Sequence, residues 1–118
     1  MSRVKSGVTA HHRHKKVMKL TKGHKGARNN HYRKAHESML KALSYSFRDR
    51  RDRKGEFRRL WIARINAAVR PLGLTYSQFM AGLKRGGIEV DRKSLAEMAV
   101  SDGDGMLKLV ELARGTVQ

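Results

Sequence analysis

Positive charge is distributed unevenly along this chain of 118 residues, and the asymmetry limits what the first half can fold into. Residues 1–59 contain 19 Lys and Arg against 4 acidic residues, whereas residues 60–118 contain 8 against 6. The first acidic residue is Glu37, and all six histidines precede it. Because like charges repel in a compact state, the first half needs a polyanionic partner.

The first 30 residues are also too poor in large apolar side chains to bury a core. Besides Met1, the only ones are Val4, Val8, Val17, Met18 and Leu20. A segment of this composition is expected to be disordered, or to become ordered only when it binds.

The positions of glycine in the basic half, and the absence of proline from it, predict helices. Gly23 and Gly26 separate a short basic helix, around residues 10–20, from a span over roughly 29–70. This span has no proline and one internal glycine, and it predicts a single helix of about 60 Å. A thin apolar stripe at helical spacing predicts a partner surface or a light contact with another element: Tyr32, Ala35, Met39, Leu43 and Phe47.

A broader apolar stripe follows and predicts packing into a core. Its members are Phe57, Leu60, Trp61, Ile65, Ala68, Val69 and Leu72. Phe57 and Trp61 are both interpreted as packing residues rather than as platforms for nucleic-acid bases. Pro71 and Gly73 end this helix.

The remaining residues predict three short helices. Thr75 and Gln78 form a capping box before the first, which Gly86 and Gly87 stop. Asp91 caps the second, and either Ser101 or Asp104 caps the third, which ends near Gly115. The apolar positions expected inside are Tyr76, Phe79, Met80, Leu83, Leu95, Met98, Ala99, Leu107, Val110 and Ala113. The predicted fold is all-α: a long basic N-terminal helical extension, residues 1–58, and a small C-terminal helical bundle, residues 59–118.

Several classes of function are excluded or disfavoured. The chain has no cysteine, so disulfides and thiolate metal sites are excluded. The longest apolar run, residues 60–63, is far short of the roughly 20 residues of a membrane span, and the first residues predict no secretory signal. The histidines at 11, 12 and 14 lie among cations, and residues 102–105 lack a calcium loop's remaining ligands. We therefore expect no enzymatic activity, no metal, no cofactor, no small-molecule substrate and no membrane partner.

Nucleic acid is the polyanion that fits this sequence best. Arginine and lysine bind phosphates, and aromatic side chains among them, as in residues 45–48, add surfaces for unpaired bases. The two glycines allow a phosphate backbone to approach the chain closely. A coreless basic arm favours folded RNA. The alternative is a nucleoid-type architectural DNA-binding protein, in which residues 75–85 and 92–100 would form a helix-turn-helix.

Motifs along nearly the whole chain resemble the family of bacterial large-subunit ribosomal protein L20. The most specific is Phe57-Arg58-x-Leu60-Trp61-Ile62-Ala63-Arg64-Ile65-Asn66-Ala67-Ala68. Others are Arg3-Val4-Lys5-x-Gly7-Val8, His14-Lys15-Lys16, Lys22-Gly23-x-x-Gly26-Ala27-Arg28, Tyr45-x-x-Arg48-Asp49-Arg50-Arg51, Gly73-Leu74-x-Tyr76-Ser77-x-Phe79 and Asp91-Arg92-Lys93-x-Leu95-Ala96.

The resemblance implies an all-helical protein whose extension runs through ribosomal RNA beside a small globular domain. It further implies direct, early binding of 23S-type RNA, neighbouring large-subunit proteins as partners, and a role in subunit assembly rather than in peptide-bond chemistry. The implied location is the large ribosomal subunit in the cytoplasm, or in a plastid. Many members carry an aromatic residue at position 24 or 25, where this chain has His24 and Lys25, which favours phosphate contact at this turn.

Charge and resemblance together mark one set of candidate RNA-binding residues. They are Arg3, Lys5, Arg13, His14, Lys15, Lys16, Lys19, Lys22, Gly23, Lys25, Gly26, Arg28, Tyr32, Arg33, Arg48, Arg50, Arg51, Arg53, Lys54, Arg58, Arg59 and Arg64.

Overall fold

A computed structural model describes residue 3 and residues 5–116, and every regular element in that part of the chain is helical. Met1, Ser2, Val4, Val117 and Gln118 lie outside the described residues. The five α-helices are α1 (Gly7–Leu20), α2 (Tyr32–Val69), α3 (Tyr76–Arg85), α4 (Arg92–Ser101) and α5 (Gly103–Gly115). Short 3-10 turns cover Gly26–Asn29 and Arg70–Leu72. The predicted all-α fold class is confirmed.

The chain divides into two compact units, Met1–Arg51 and Asp52–Gln118, which we call unit 1 and unit 2. The boundary lies within α2, seven residues before the predicted division between residues 58 and 59.

Unit 1 has very little buried apolar surface. Of its described residues, only Thr21 and Ala35 are fully buried, and α1 contains no buried residue. The sequence predicts this lack of a core. Without burial, helix formation has little to offset its entropic cost, so we still expect unit 1 to become ordered on a partner.

Unit 2 is organised around α5, which packs against both α3 and α4. Its core combines the last turns of α2 with one face of each shorter helix. The buried members are Ile65, Val69, Leu74, Phe79, Leu83, Leu95, Ala96, Met106, Val110 and Ala113. Trp61, Ala68, Leu72, Tyr76 and Met80 are half-buried against this core, as the apolar spacing predicts.

The helix ends in unit 2 follow local chemistry. Gly73 adopts a left-handed conformation with φ of 84° after Pro71, which ends the helical path. Thr75 and Gln78 form the predicted capping box. Asp91 caps α4 by accepting hydrogen bonds from the backbone of Lys93 and Ser94, at 3.1 and 3.3 Å. The Ser94 hydroxyl, followed by these backbone bonds, holds the pKa of the Asp91 carboxyl below its ordinary value, although desolvation opposes the shift.

The predicted cap of α5 is wrong by one or two residues. Neither Ser101 nor Asp104 caps this helix; Asp102 does, because its Oδ1 accepts a 2.9 Å hydrogen bond from the backbone nitrogen of Gly105. The buried position in the first turn also differs from the prediction. Met106 is buried, whereas Leu107 is 43% exposed. The buried residues of α5 therefore follow the spacing 106, 110 and 113, which places one stripe against α3 and α4.

Replacing Asp102 with alanine should lower the free energy of unfolding of unit 2 by about 1 kcal/mol, because a backbone donor of α5 loses its acceptor. Urea denaturation followed by the fluorescence of Trp61, the only tryptophan, measures this change. Ser101→Ala and Asp104→Ala are the matched controls, and each should cost no more than about 0.5 kcal/mol. A larger loss in either control than in Asp102→Ala would contradict the assignment of the cap.

The predicted packing of Phe57 and Leu60 is also wrong. Phe57 is 48% exposed and Leu60 is 42% exposed, while burial along the unit 2 part of α2 begins at Trp61. The ring of Phe57 lies 6.3 Å from that of Trp61, its neighbour one turn along the same helix. The short helices of unit 2 cover only the last turns of α2. The apolar stripe therefore extends beyond the part of α2 that these helices bury.

Candidate nucleic-acid interface

The candidate residues before α2 present their charges to solvent. Arg3 and Lys5 precede α1 and are exposed, and so are the five candidates on α1: Arg13, His14, Lys15, Lys16 and Lys19. No acidic residue occurs anywhere in this part of the sequence, so these cations have no carboxylate partner on their own element. An anion that approaches α1 therefore meets uncompensated charge.

The turn after α1 exposes its backbone as well as its charges. Gly23 and Gly26 both adopt positive φ angles, 84° and 72°, which favour glycine over residues with a side chain. No other atom lies within 4 Å of the place where a Cβ would stand at either residue. Lys22, Lys25 and Arg28 are exposed beside them. A phosphate can therefore approach this turn without meeting a side chain at the glycines.

One ring stack and one hydrogen bond hold the beginning of α2 against the preceding segment of unit 1. The imidazole of His14 stacks on the ring of Tyr32, with centroids 3.8 Å apart and planes inclined by 22°. His24 Nδ1 and the hydroxyl oxygen of Ser38 lie 2.8 Å apart in a hydrogen bond. One face of Tyr32 is thus covered by a side chain of the same unit, and Tyr32 remains 37% exposed.

The middle of α2 is exposed on every side, since each residue from 40 to 60 is solvent-accessible. Candidates Arg48, Arg50, Arg51, Arg53 and Lys54 lie within this stretch. A helix with no buried face over some five turns is stabilised by pairs along its surface or by a bound partner. This stretch has the highest density of cations on the helix.

Aromatic and polar side chains hold several of these arginines in place. The guanidinium carbon of Arg48 lies 4.6 Å from the ring centroid of Tyr45, and that of Arg51 lies 4.8 Å from the centroid of Phe47. Arg50 donates a 2.6 Å hydrogen bond to the hydroxyl of Ser46. Such contacts reduce the rotamer freedom that a bound phosphate would otherwise have to remove.

The remaining candidates follow on α2. Arg33 is exposed in its first turn, while Arg58, Arg59 and Arg64 are exposed on the part of α2 that belongs to unit 2. Among the candidates of unit 1, the structure brings together His14 of α1 and Tyr32 of α2, and it places Lys25 and Arg28 of the turn on one groove beside α2.

Sequence reasoning missed two cations of unit 1, Lys34 and Lys41. They line a groove of about 670 Å³ together with Lys25 and Arg28 of the preceding turn. Lys34 directly follows the candidate Arg33, whereas Lys41 has no basic neighbour in the sequence. Their spacing from Ser38, at i−4 and i+3, would have placed all three on one face of α2.

Metal and membrane sites find no support in the part of the chain that is described. Across residues 3 and 5–116, no three histidine or acidic side chains are grouped so that they could hold a metal ion. No helix within the same residues is long and apolar enough to cross a bilayer.

Comparison with known proteins gives this cationic surface a context. The model of the family described as "Ribosomal protein L20" matches residues 3–109. The chain belongs to the ribosomal protein L20 family. The family is one of structural proteins rather than enzymes, in agreement with the absence of a catalytic constellation from the sequence.

Relatives in this family are similar to the chain over almost its whole length. "Large ribosomal subunit protein bL20" of Acidithiobacillus ferrooxidans is 57% identical over 115 residues, which cover 98% of this chain and 97% of the relative. The protein of that name from Symbiobacterium thermophilum is 56% identical, covering 99% and 100%. That of Dehalococcoides mccartyi is 60% identical over 102 residues, or 86% of each chain. The predicted family resemblance is confirmed.

Proposed function

We propose that this chain is a structural protein of the large ribosomal subunit that binds 23S-type ribosomal RNA directly and is needed for assembly of that subunit. The observation that carries the proposal is membership of the ribosomal protein L20 family, joined to a continuous supply of exposed cations in the first 64 residues. Each candidate RNA-binding residue named from the sequence keeps its proposed role: a phosphate contact for the basic residues, an open backbone approach for the glycines, and a surface for unpaired bases for Tyr32.

The proposed mechanism is neutralisation of crowded phosphates. Every lysine or arginine that meets a phosphate releases condensed counterions, and the entropy of that release drives binding. Unit 1 has almost no core, so binding also supplies the contacts that keep its helices ordered. RNA helices that would repel one another are thereby held together around the basic segment.

The two parts of the chain have different proposed roles. Residues 1–58 form the RNA-penetrating extension, and residues 59–118 form a globular domain that folds by burial. The globular domain has a nearly neutral composition, so we assign contacts with neighbouring ribosomal proteins mainly to it. The proposed location is a large ribosomal subunit in the cytoplasm or in a plastid.

Reconstitution of the large subunit with and without this protein tests the proposal. Omission should leave a particle that sediments more slowly than the complete subunit, because RNA segments that need neutralisation stay apart. Adding the native chain should restore full sedimentation, and the protein should co-sediment with the particle. A complete subunit formed in its absence would contradict the assembly role.

A competition experiment separates this function from the DNA-binding alternative. At moderate salt, large-subunit RNA should displace the protein from duplex DNA of equal phosphate concentration. Equal preference for the two polymers would favour an architectural DNA-binding protein instead, since phosphate neutralisation alone does not distinguish them.

A further inference from the structure

The groove in unit 1 has a composition that phosphate binding alone does not explain. Its floor is one face of α2, where Ser38, Lys41, Ala42 and Tyr45 follow one another at helical spacing. Its opposite wall is the turn after α1, which contributes His24. The aromatic ring and the hydrogen-bonding side chains add groups that can contact a base to the cations that can contact phosphates.

The small side chain of Ala42 keeps the floor of the groove low between two larger neighbours. Ser38 lies one turn before it and Tyr45 nearly one turn after it, about 10 Å apart along the helix axis. The open groove has a volume of about 670 Å³, which lies within the range of pockets that hold small organic ligands. A single nucleotide is of suitable size for this space.

The ring of Tyr45 supplies the apolar surface of the groove. It is 44% exposed, with Lys41 Nζ 5.0 Å and Arg48 Cζ 4.6 Å from its centroid. The Lys41 side chain is itself exposed, so it can give way to a base over the ring and remain close enough to reach that nucleotide's phosphate. Stacking on such rings is the usual way in which proteins hold unpaired bases.

The wall of the groove is held in place and carries hydrogen-bonding groups. The bond between His24 Nδ1 and Ser38, at 2.8 Å, fixes the imidazole relative to α2. The carboxylate of Glu37 also lines the groove, 3.5 Å from the ammonium group of Lys34. A carboxylate repels phosphate but accepts hydrogen bonds from base amino groups, so it favours a base over a second phosphate.

We propose that this groove binds one unpaired nucleotide of RNA, with the base stacked on Tyr45 and its phosphates held by Lys25 and Arg28 at the turn. The proposal rests on the RNA-binding function above and assigns to that surface a site for a base rather than for phosphates alone. Tyr45 and Lys41 thereby join the candidate RNA-binding residues, and Ala42 becomes the residue that leaves room for the base.

Binding of short RNA oligomers to the full chain tests the groove. The probes are an oligoadenylate and an abasic ribose-phosphate oligomer with the same number of phosphates, measured by fluorescence anisotropy at moderate salt. Tyr45→Leu should weaken oligoadenylate binding roughly 5- to 20-fold, because the stacking surface is lost. It should leave the affinity for the abasic oligomer unchanged within about twofold, since no charge is removed.

Phe57→Leu is the matched control for the aromatic ring. Phe57 is similarly exposed, at 48%, and lies on α2 outside the groove. Its replacement should change oligoadenylate affinity less than twofold.

Ala42→Met fills the groove without altering charge and should reproduce the Tyr45→Leu loss. Ala63→Met, at another exposed alanine of α2, controls for the added side chain.

Three results would overturn the proposal: equal binding of both probes by the native chain, equal losses in Tyr45→Leu and Phe57→Leu, or unaltered binding in Ala42→Met. These results leave the ribosomal function intact if the native protein still binds 23S-type RNA. Conversely, a chain that fails to bind that RNA contradicts the function itself, so the two failures are distinguishable.

Discussion

Replacing Gly82 with alanine should destabilise unit 2 by about 2 kcal/mol, even though alanine is the better helix former. A Cβ at position 82 would stand 2.5 Å from the carbonyl oxygen of Ala113 and 2.9 Å from its Cα. These are backbone atoms of α5, so no rotamer change can relieve the collision. Overpacking of this kind costs up to about 3 kcal/mol, and the gain in helix propensity offsets about 1 kcal/mol of it.

The expected loss lowers the midpoint of thermal unfolding by roughly 10 °C for a unit of this size. Trp61 fluorescence follows the transition, because this ring packs against the core of unit 2. The control is Gly55→Ala, at a glycine inside α2 where an added Cβ would have no atom within 4 Å. That variant should be stabilised by up to about 1 kcal/mol. Equal stability of the two variants would show that α3 and α5 do not approach each other this closely.

Neutralising four arginines of α2 should weaken binding to 23S-type RNA roughly 100- to 1000-fold at about 0.1 M salt, if each meets a phosphate. The variant replaces Arg48, Arg50, Arg51 and Arg53 with glutamine, which keeps a similar length and helix propensity. All four are exposed, so their loss removes no buried contact. The melting transition reported by Trp61 should not fall.

The matched control removes the same charge from unit 2. This control replaces four exposed cations outside the candidate surface with glutamine: Lys84, Arg85, Lys93 and Lys108. It should weaken RNA binding less than about tenfold, because these residues do not contribute to that surface. Equal losses in the two variants would mean that net charge, rather than the surface on α2, determines affinity. A fall in the melting temperature of the α2 variant alone would make its arginines structural residues.

The sequence predicts helix ends well where a single residue has one possible role. The end of the α2 path at Pro71 and Gly73 follows from a backbone constraint, as predicted. The start of α3 follows from the capping box in which Thr75 has one suitable partner, Gln78. The cap of α5 is mispredicted because residues 101–104 offer three acceptors in succession. Which of them reaches a free backbone N–H depends on where α5 docks, and this also decides that Met106 rather than Leu107 is buried.

Features that depend on tertiary contacts are not predicted from the sequence alone. Periodicity extends the apolar stripe of α2 back to Phe57, but burial depends on where neighbouring helices lie, and within unit 2 these begin to cover α2 only at Trp61. Charge alone predicts the cationic surface, since that prediction requires no knowledge of contacts. The groove beside Tyr45 is different, because His24 and Ser38 are brought together from positions 14 residues apart.

The salt dependence of binding to 23S-type RNA tests the central claim most directly. The native chain offers far more than six exposed cations before residue 65, so the logarithm of the affinity should fall with the logarithm of the salt concentration with a slope of about −5 or steeper. Such a slope means that several phosphates are neutralised together. A slope between 0 and about −2 would contradict the account, because the uneven charge of this chain would then not drive its binding to RNA.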